Sequence, residues 1–253
     1  GRWLTQRLAE RGIATDCVLP VPGQLTPVSF AWMDRQGEKT FYFYRFPGFS
    51  DPMAALHPGE ITLEQLRGAR IFDFTEATVR NEPLRSAAFD AARLAREAGL
   101  QVCYALNYRP SAWHDQTPEQ IAGVQREACA HADIVLMNRE EARSVTGCGQ
   151  AAQAAREVAK LGPSVVVITA GEEGALLLSE GRIEQIAARQ VDVVYDIGAG
   201  DTFHAGLLAA LLGGMSPAEA ARFASAAAAL RISRAATEPN PTYDEVGRLL
   251  QKQ

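Results

Sequence analysis

The sequence predicts an α/β fold in which helices cover both faces of a mostly parallel sheet. From residue 70 onward, short apolar segments alternate with helical segments, as in consecutive βαβ units. The apolar segments are nearly continuous rather than alternating, which indicates strands that are buried on both faces. A chain of 253 residues with 47% hydrophobic residues is also long enough to bury a sizeable core.

The first 46 residues differ from the rest of the chain in their pattern of predicted secondary structure. An amphipathic helix is predicted over residues 1–8, with no initiator Met before it. Strands are predicted after it at residues 14–19, 26–34 and 40–45. The third of these strands is strongly aromatic and ends in Arg45. We expect this part of the chain to be a β-hairpin region.

The middle of the chain holds the predicted parallel strands and the helices that connect them. The strands are predicted at residues 70–74, 102–106, 134–137 and 165–169. The helices are predicted at residues 83–98, 118–130, from 139 onward, and 151–161. A Ser or Thr three residues before Glu or Gln marks helix starts at Thr117, Ser216 and Thr242.

After residue 171 the chain is predicted to return to short strands. We place these at 175–178, 183–187 and 191–195, and we expect them to form an antiparallel edge. Three helices, predicted at 200–212, 217–231 and 243–250, close the chain. Because no internal repeat and no linker-like segment interrupts the pattern, residues 1–253 are predicted to form a single domain.

Composition disfavours several classes of function. Thirty acidic and 25 basic residues are mixed along the chain, so there is no basic stripe for nucleic acid or anionic lipid. No apolar run reaches the length of about 20 residues that a membrane span needs. The four cysteines are scattered without metal-ligand spacing, which is typical of reduced thiols in the cytosol. We expect a cytoplasmic enzyme without nucleic-acid or membrane partners.

A glycine-rich loop precedes the helix predicted at 200–212. The loop runs from Gly198 to Asp201 and follows the strand predicted at 191–195. Because the first N–H groups of a helix have no internal partner and the macrodipole is positive there, such a loop suits a phosphate. An acid beside the phosphate can accept the proton of an attacking alcohol. On these residues alone, however, a tight turn with an acidic helix start is the more common explanation.

A longer sequence match favours the phosphate-binding interpretation of the glycine loop over the simple turn. The segment from Asp201 to Ala209, with its glycine loop, resembles the C-terminal signature of the ribokinase-like (PfkB) family of carbohydrate kinases. Three further segments fall in the order of that family, namely 107–113, 138–142 and 168–176. The resemblance covers essentially the whole chain. It implies a three-layer αβα fold with a mostly parallel central sheet and a small β-sheet lid, which would be residues 15–46.

The same resemblance implies how phosphoryl transfer from ATP would be carried out. Asp201 would be the general base, and the amides of Ala199, Gly200 and Asp201 would form the anion hole. Asn138 and Glu141 would be the Asn-x-x-Glu motif that governs Mg²⁺ and phosphate, with Glu141 reaching the ion through water. The same pair also fits an ordinary capping box, in which Asn caps the helix and Glu stands at its third position.

The resemblance also implies contacts to the two substrates. Gly171 and Gly174 lie in a loop that the family places near the nucleotide, and Ser225 lies in a helix whose small side chains would admit a flat adenine. A hairpin turn and tight helix packing explain these residues equally well. Arg45 and Arg109 are the predicted sugar contacts, because their segments resemble the sugar-facing segments of fructokinases and 2-keto-3-deoxygluconate kinases. A strand-terminal arginine is more often a surface residue.

The substrate stays open among several candidates. Fructose is the first expectation, and 2-keto-3-deoxygluconate is the alternative, in which case an arginine would pair with the substrate carboxylate. A non-catalytic sugar or nucleotide sensor and a nucleoside or vitamin kinase are further alternatives. Aromatic side chains of the lid could also form the interface of a homodimer.

Three features depart from the family pattern. Ala105 stands where relatives commonly have an acid, and Tyr195-Asp196 replaces the usual Asp-Thr before the glycine loop. The second change touches the monovalent-cation site of the family, so activation by K⁺ stays open. The first strand and the Gly-Gly-x-x-x-Asn segment of the family do not precede Gly1, and we therefore expect the natural chain to begin upstream.

Overall fold

The computed structural model describes residues 1–33, 39–44, 52–113 and 116–251. A helix, α1 (Arg2–Ala9), is followed by the hairpin strands β1 (Val28–Met33) and β2 (Lys39–Tyr44). The next elements are α2 (Leu63–Leu66), β3 (Ile71–Thr75), α3 (Glu76–Val79), α4 (Leu84–Glu97), β4 (Gln101–Ala105), α5 (Pro118–Ala130), β5 (Ile134–Asn138), α6 (Arg139–Thr146) and α7 (Ala151–Ala159). The last are β6 (Val165–Thr169), β7 (Ala175–Ser179), β8 (Arg182–Ile186), α8 (Ala199–Leu212), α9 (Pro217–Ile232) and α10 (Tyr243–Gln251).

The main sheet has six strands in the order β3-β4-β5-β6-β7-β8. Strands β3 to β6 are parallel, and β7 and β8 add an antiparallel edge. The helices between the parallel strands carry the chain back to the start of the next strand, as parallel pairing requires. The predicted mostly parallel sheet with an antiparallel edge is therefore confirmed.

Alternation along the strands divides the core into two layers. Side chains such as Val102 and Tyr104 of β4 pack against the layer of α4, α5, α6 and α7. Their neighbours Cys103 and Ala105 pack on the other face, against α8, α9 and α10. Because both faces of the sheet are covered by helices, the fold has three αβα layers, as predicted.

Helices α8 and α9 pack unusually closely. A Cβ placed on Gly206 would lie 3.1 Å from the Cα of Ala224 and 3.1 Å from the Cβ of Ala227. A side chain at position 206 would therefore have to push the two helices apart. This contact explains the small residues of α9 through helix packing, and it fixes the direction in which α8 begins.

The predicted lid is a two-stranded antiparallel hairpin, and its two faces differ. In its register Phe30 lies opposite Tyr42 and Ala31 lies opposite Phe41. Phe30, Trp32 and Tyr42 therefore share one face, which is 50–56% exposed at these residues. Phe41 points to the opposite face, toward the loop after β4. The last residues of the two predicted lid strands, Asp34 and Arg45, lie outside the described residues.

Two predicted strands are wrong. Residues 14–19 are irregular, and the Val18 N–H closes a turn onto the Thr15 carbonyl at 3.0 Å. Residues 191–195 form no ladder either, because the N–H groups of Val194 and Tyr195 both donate to the Ile232 carbonyl, at 2.8 and 3.0 Å. An apolar β-prone sequence becomes a strand only when a partner strand accepts its hydrogen bonds, and here the end of α9 accepts them.

Within the part of the chain that the structure describes, no helix has the length and apolar character needed to cross a bilayer. Location in the cytoplasm and the single-domain organisation of residues 1–253 both stay predictions.

Candidate active site

The glycine loop leads directly into α8. Gly198 has φ of 88°, a left-handed conformation that favours glycine, and it is the N-cap of the helix. The Ala199 N–H donates to the Asp196 carbonyl at a long 3.2 Å. Among the described residues, the N–H groups of Gly200 and Asp201 have no hydrogen-bond acceptor. The start of α8 thus presents two available amides at the positive end of a 14-residue helix.

Two clefts of about 440 Å³ each meet at this loop. We call the first the strand-end cleft, because its walls come from the carboxyl ends of parallel strands and the loops after them. Its lining includes Thr75, Ala105, Asn107, Arg109, Asn138 and Asp201. We call the second the α9 cleft, and its lining includes Gly171, Gly174, Val191, Val193, Ser225 and Ala229. Ala199 and Gly200 line both clefts, so the loop is their common wall.

Asp201 is exposed in the first turn of α8 and faces the strand-end cleft. Its carboxylate has no hydrogen-bond donor and no ion-pair partner among the described residues. A carboxylate in this position can accept a proton from a hydroxyl group bound in the cleft. The structure therefore places the predicted base beside the two available amides.

Asn138 and Glu141 form the predicted capping box at the start of α6. The Asn138 side chain accepts from the Glu141 N–H at 2.9 Å, and Glu141 accepts from the Asn138 N–H at 2.7 Å. The other carboxylate oxygen of Glu141 accepts from the Tyr108 N–H at 2.7 Å. Burial raises the pKa of Glu141, while the two amides and the nearby Arg109 oppose that rise. Glu141 thus joins the end of β5 to the loop after β4, a role that its spacing did not predict.

Arg109 connects the lid to the main sheet. Its guanidinium carbon lies 5.1 Å from the centre of the Phe41 ring on β2, and Nη1 donates to the Tyr108 carbonyl at 3.1 Å. Such a cation–π contact holds the guanidinium at the cleft wall. The other predicted sugar contact, Arg45, lies outside the described residues.

Of the four predicted nucleotide contacts, Gly171, Gly174 and Ser225 line the α9 cleft, whereas Asn138 lines the strand-end cleft. Two of the first three also have structural roles. A Cβ on Gly174 would lie 2.0 Å from the Ile186 carbonyl oxygen, and the residue has φ of 89°. Glycine is therefore required where the loop meets the end of β8. The Ser225 hydroxyl donates to the Ala187 carbonyl at 3.2 Å. Gly171, with φ of 59°, has open space around it.

Sequence reasoning missed several residues that line the strand-end cleft. Asn107 adopts a left-handed conformation, with φ of 43°, directly after β4. Asn tolerates this region better than most residues, so an Asn after a buried strand was a usable signal. Thr75 at the end of β3 and His204 one turn into α8 also line the cleft. Their positions depend on which strands are neighbours, which the sequence did not show directly.

The buried carboxylate of Glu76 holds the loop after β4 in place. Glu76 accepts hydrogen bonds from the Trp113 indole N–H, from Nε of Arg80 at 3.1 Å and from the backbone N–H of Arg109. Burial raises the pKa of Glu76, and the charge of Arg80 and these hydrogen bonds partly oppose it. This carboxylate therefore positions both ends of the segment that carries Arg109.

A buried arginine lies beneath the glycine loop. Arg231 is 7% exposed, its guanidinium carbon lies 5.6 Å from the centre of the Tyr195 ring, and Nη1 donates to the Ala235 carbonyl at 3.3 Å. Its Nε lies 3.9 Å from where a Cβ of Gly198 would be. A fixed positive charge repels a second cation at such distances. Arg231 therefore places a fixed positive charge close to Tyr195 and the glycine loop.

Comparison with known proteins agrees with this architecture. Residues 1–243 match the family model described as pfkB family carbohydrate kinase. The fructokinase of Vibrio alginolyticus is 30% identical over 211 residues, which cover 83% of this chain and 66% of that protein. The 5-dehydro-2-deoxygluconokinase of Shouchella clausii is 28% identical over 258 residues, which cover 100% of this chain and 78% of that protein. The chain thus spans between about two thirds and four fifths of the length of these relatives.

Solved structures show the same fold. The crystal structure of the PfkB protein from Polaromonas sp. JS666 has a TM-score of 0.83 and 27% identity, covering 98% of this chain and 79% of that one. Aminoimidazole riboside kinase from Salmonella enterica, complexed with aminoimidazole riboside and an ATP analog, has a TM-score of 0.64 and 28% identity, covering 72% and 63%.

The fold is that of the ribokinase-like kinases. The chain belongs to the pfkB family of carbohydrate kinases, which are phosphotransferases that use an alcohol group as acceptor. The resemblance that the four sequence segments indicated is therefore confirmed.

The raised pKa of Glu76 predicts a specific pH dependence of stability. Because the folded state holds this proton more tightly than the unfolded state, the free energy of unfolding falls as pH rises from the ordinary value of 4.5 through the raised value. Glu76→Gln lacks this titration. Urea unfolding of both proteins between about pH 4 and 7 should show wild-type stability falling relative to the variant as pH rises. A difference that is constant, or that rises with pH, would contradict the assignment.

Proposed function

We propose that the protein transfers the γ-phosphoryl group of ATP to a hydroxyl group of a ketose, with fructose as the first candidate. The observation that supports this most strongly is the position of the glycine loop as the common wall of two clefts. A nucleotide in one cleft and a sugar in the other would meet at the start of α8, where Gly200 and Asp201 offer their amides.

The α9 cleft suits the nucleotide. Gly171, Gly174 and Ser225 leave room for a flat base between the loop after β6 and helix α9. From there a triphosphate would extend toward the positive end of α8, which is the usual place for phosphate binding at a helix. The similar riboside kinase was crystallised with an ATP analog, which supports ATP as the phosphoryl donor.

The strand-end cleft suits the acceptor, and Asp201 would act on it. In the proposed step, the sugar oxygen forms a bond to the γ-phosphorus while the bond to the bridging oxygen of ADP breaks, and the hydroxyl proton passes to Asp201. The amides of Gly200 and Asp201 would stabilise the charge on the transferred group. The amide of Ala199 would join them by giving up its long bond to the Asp196 carbonyl.

We assign the metal ion of the reaction to Mg²⁺. When bound, Mg²⁺ neutralises phosphate charge and orients the transferred group. Asn138 and Glu141 line the strand-end cleft and offer oxygen ligands. Both oxygens of Glu141 already accept backbone amides, so the carboxylate would bind the ion through water and use its remaining lone pairs.

Arg109 supports a second candidate substrate. Its guanidinium lies at the wall of the strand-end cleft, where it could pair with a carboxylate. A keto sugar acid such as 2-keto-3-deoxygluconate would provide that carboxylate, and the related 5-dehydro-2-deoxygluconokinase acts, by its name, on a comparable acid. Fructose would use Arg109 only as a hydrogen-bond donor to its hydroxyl groups.

Asp201→Asn should strongly reduce phosphoryl transfer while ATP binding remains. The amide cannot accept the proton, so turnover should fall by about 10²–10⁴-fold. The measurement is ADP release with fructose and the keto sugar acids, with ATP binding followed by calorimetry. Asp244→Asn is the matched control, because Asp244 is an exposed acid in the first turn of α10 and should leave turnover unchanged.

The sugar panel also separates the alternatives. Near-normal turnover by Asp201→Asn would refute its role as base. ATP and sugar binding without turnover by the wild-type protein would favour a non-catalytic sensor. Turnover only with nucleosides or vitamins would favour a nucleoside or vitamin kinase.

We also propose that turnover does not require K⁺. Arg231 supplies a fixed charge beneath the glycine loop, and a monovalent ion there would be repelled. Replacing KCl by choline chloride at constant ionic strength should leave the rate of ADP release unchanged. A rate that depends on K⁺ concentration would show that the guanidinium does not replace the ion.

The exposed aromatic face of the lid supports a homodimer. Phe30, Trp32 and Tyr42 form an apolar patch on the face of the hairpin opposite Phe41. Trp32→Glu should convert the dimer to a monomer, measured by analytical ultracentrifugation. Tyr243→Glu, at a similarly exposed aromatic on α10, is the control that should stay dimeric. A wild-type protein that sediments as a monomer would exclude this interface.

A further inference from the structure

Three side chains with different metal-ligating atoms converge beside α8, next to the strand-end cleft. They are Asp73 on β3, Cys103 on β4 and His204 on α8. The His204 Nε2 lies 3.0 Å from a carboxylate oxygen of Asp73 and 3.6 Å from the Cys103 sulfur. All three ligand atoms lie within 4.8 Å of one another.

The fold brings these residues together by two independent constraints. Asp73 and Cys103 are direct partners in the parallel pairing of β3 with β4, so both side chains leave the same face of the sheet. That face is covered by α8, on which His204 lies one turn after Asp201. The core residues on this face are apolar, whereas the Asp73 side chain is partly exposed to solvent.

The three groups contact one another directly through their ligating atoms. A single atom, Nε2 of His204, faces both Asp73 and Cys103. Nε2 can donate to the Asp73 carboxylate, and the same carboxylate also accepts a hydrogen bond from the Cys103 thiol. A cation placed among the three atoms would be bound by all of them.

We infer that Asp73, Cys103 and His204 form a binding site for a borderline-soft divalent ion, with Zn²⁺ as its natural occupant. A tetrahedral Zn²⁺ with bonds of about 2.0–2.3 Å holds its ligand atoms about 3.3–3.6 Å apart. The sulfur–nitrogen distance already matches this spacing, and the nitrogen–oxygen pair needs to open by only a few tenths of an ångström. Cys103 would bind as the thiolate and release its proton.

The site also has an entry path and an open position. The Asp73 side chain is 34% exposed and that of His204 is 14% exposed, whereas Cys103 is buried. A metal ion can therefore enter past the carboxylate, and a water molecule can complete its coordination from the side of the strand-end cleft. Thiolate and imidazole ligands select against Mg²⁺ and Ca²⁺, which prefer oxygen, so this site is distinct from that proposed for Mg²⁺.

Titration of the metal-free protein with Co²⁺, a spectroscopic substitute for Zn²⁺, tests the site. We expect one ion per chain, with the visible bands of tetrahedral Co²⁺ and a thiolate-to-Co²⁺ charge-transfer band, all displaced by Zn²⁺. Cys103→Ser should remove the charge-transfer band, and His204→Gln and Asp73→Asn should weaken binding about tenfold or more. Zn²⁺ should also raise the melting temperature of the wild-type protein but not of these variants.

Cys129→Ser is the matched control. Cys129 is as completely buried as Cys103, but it packs in the opposite helical layer and should not affect the bands. Circular dichroism tests whether each variant is folded. If Cys103→Ser is unfolded, metal binding by His204→Gln and Asp73→Asn decides whether the site exists. The site would be refuted if the wild-type protein showed no thiolate band. It would also be refuted if the band persisted in Cys103→Ser, which would indicate adventitious binding at an exposed thiol such as Cys17. The readout does not depend on kinase activity.

Discussion

The close packing of α8 on α9 is the constraint on which the site depends. At Gly206 the two helices approach so closely that any side chain would collide with Ala224 and Ala227. This contact fixes where α8 begins and therefore where its unpaired amides point. The positions of Asp201 and the glycine loop follow from this placement of α8. The segment before the loop is held from the same side, because its amides donate to the Ile232 carbonyl at the end of α9.

Buried charged groups complete the positioning of the strand-end cleft. Glu76 and Glu141 use their carboxylates to bind backbone amides of the loop after β4, and Arg231 lies under the glycine loop. Burial of such groups is unfavourable unless they are hydrogen-bonded, so their partners are as necessary as the groups themselves. Each of them supports a loop that carries a proposed substrate contact. The site is thus assembled by buried polar contacts on a rigid sheet.

Strongly periodic segments were predicted almost to the residue, and the failures have physical reasons. Helix α5 and strand β6 match their predicted limits, because capping and apolar patterns are encoded locally. Residues 191–195 were taken for a strand, because a β-prone sequence does not reveal that a helix end will accept its hydrogen bonds. The glycine loop and the capping box at Asn138 could be found from spacing. The contact between Arg109 and Phe41, and the neighbourhood of His204, depend on strand order and could not.

The central claim is that phosphoryl transfer takes place at the start of α8, between the two clefts. A crystal structure of the protein with fructose and a non-hydrolysable ATP analog tests this most directly. We predict that the γ-phosphate accepts hydrogen bonds from the amides of Gly200 and Asp201, and that a sugar hydroxyl lies about 3 Å from the Asp201 carboxylate. A terminal phosphate bound elsewhere, or an acceptor hydroxyl beyond the reach of Asp201, would contradict the account.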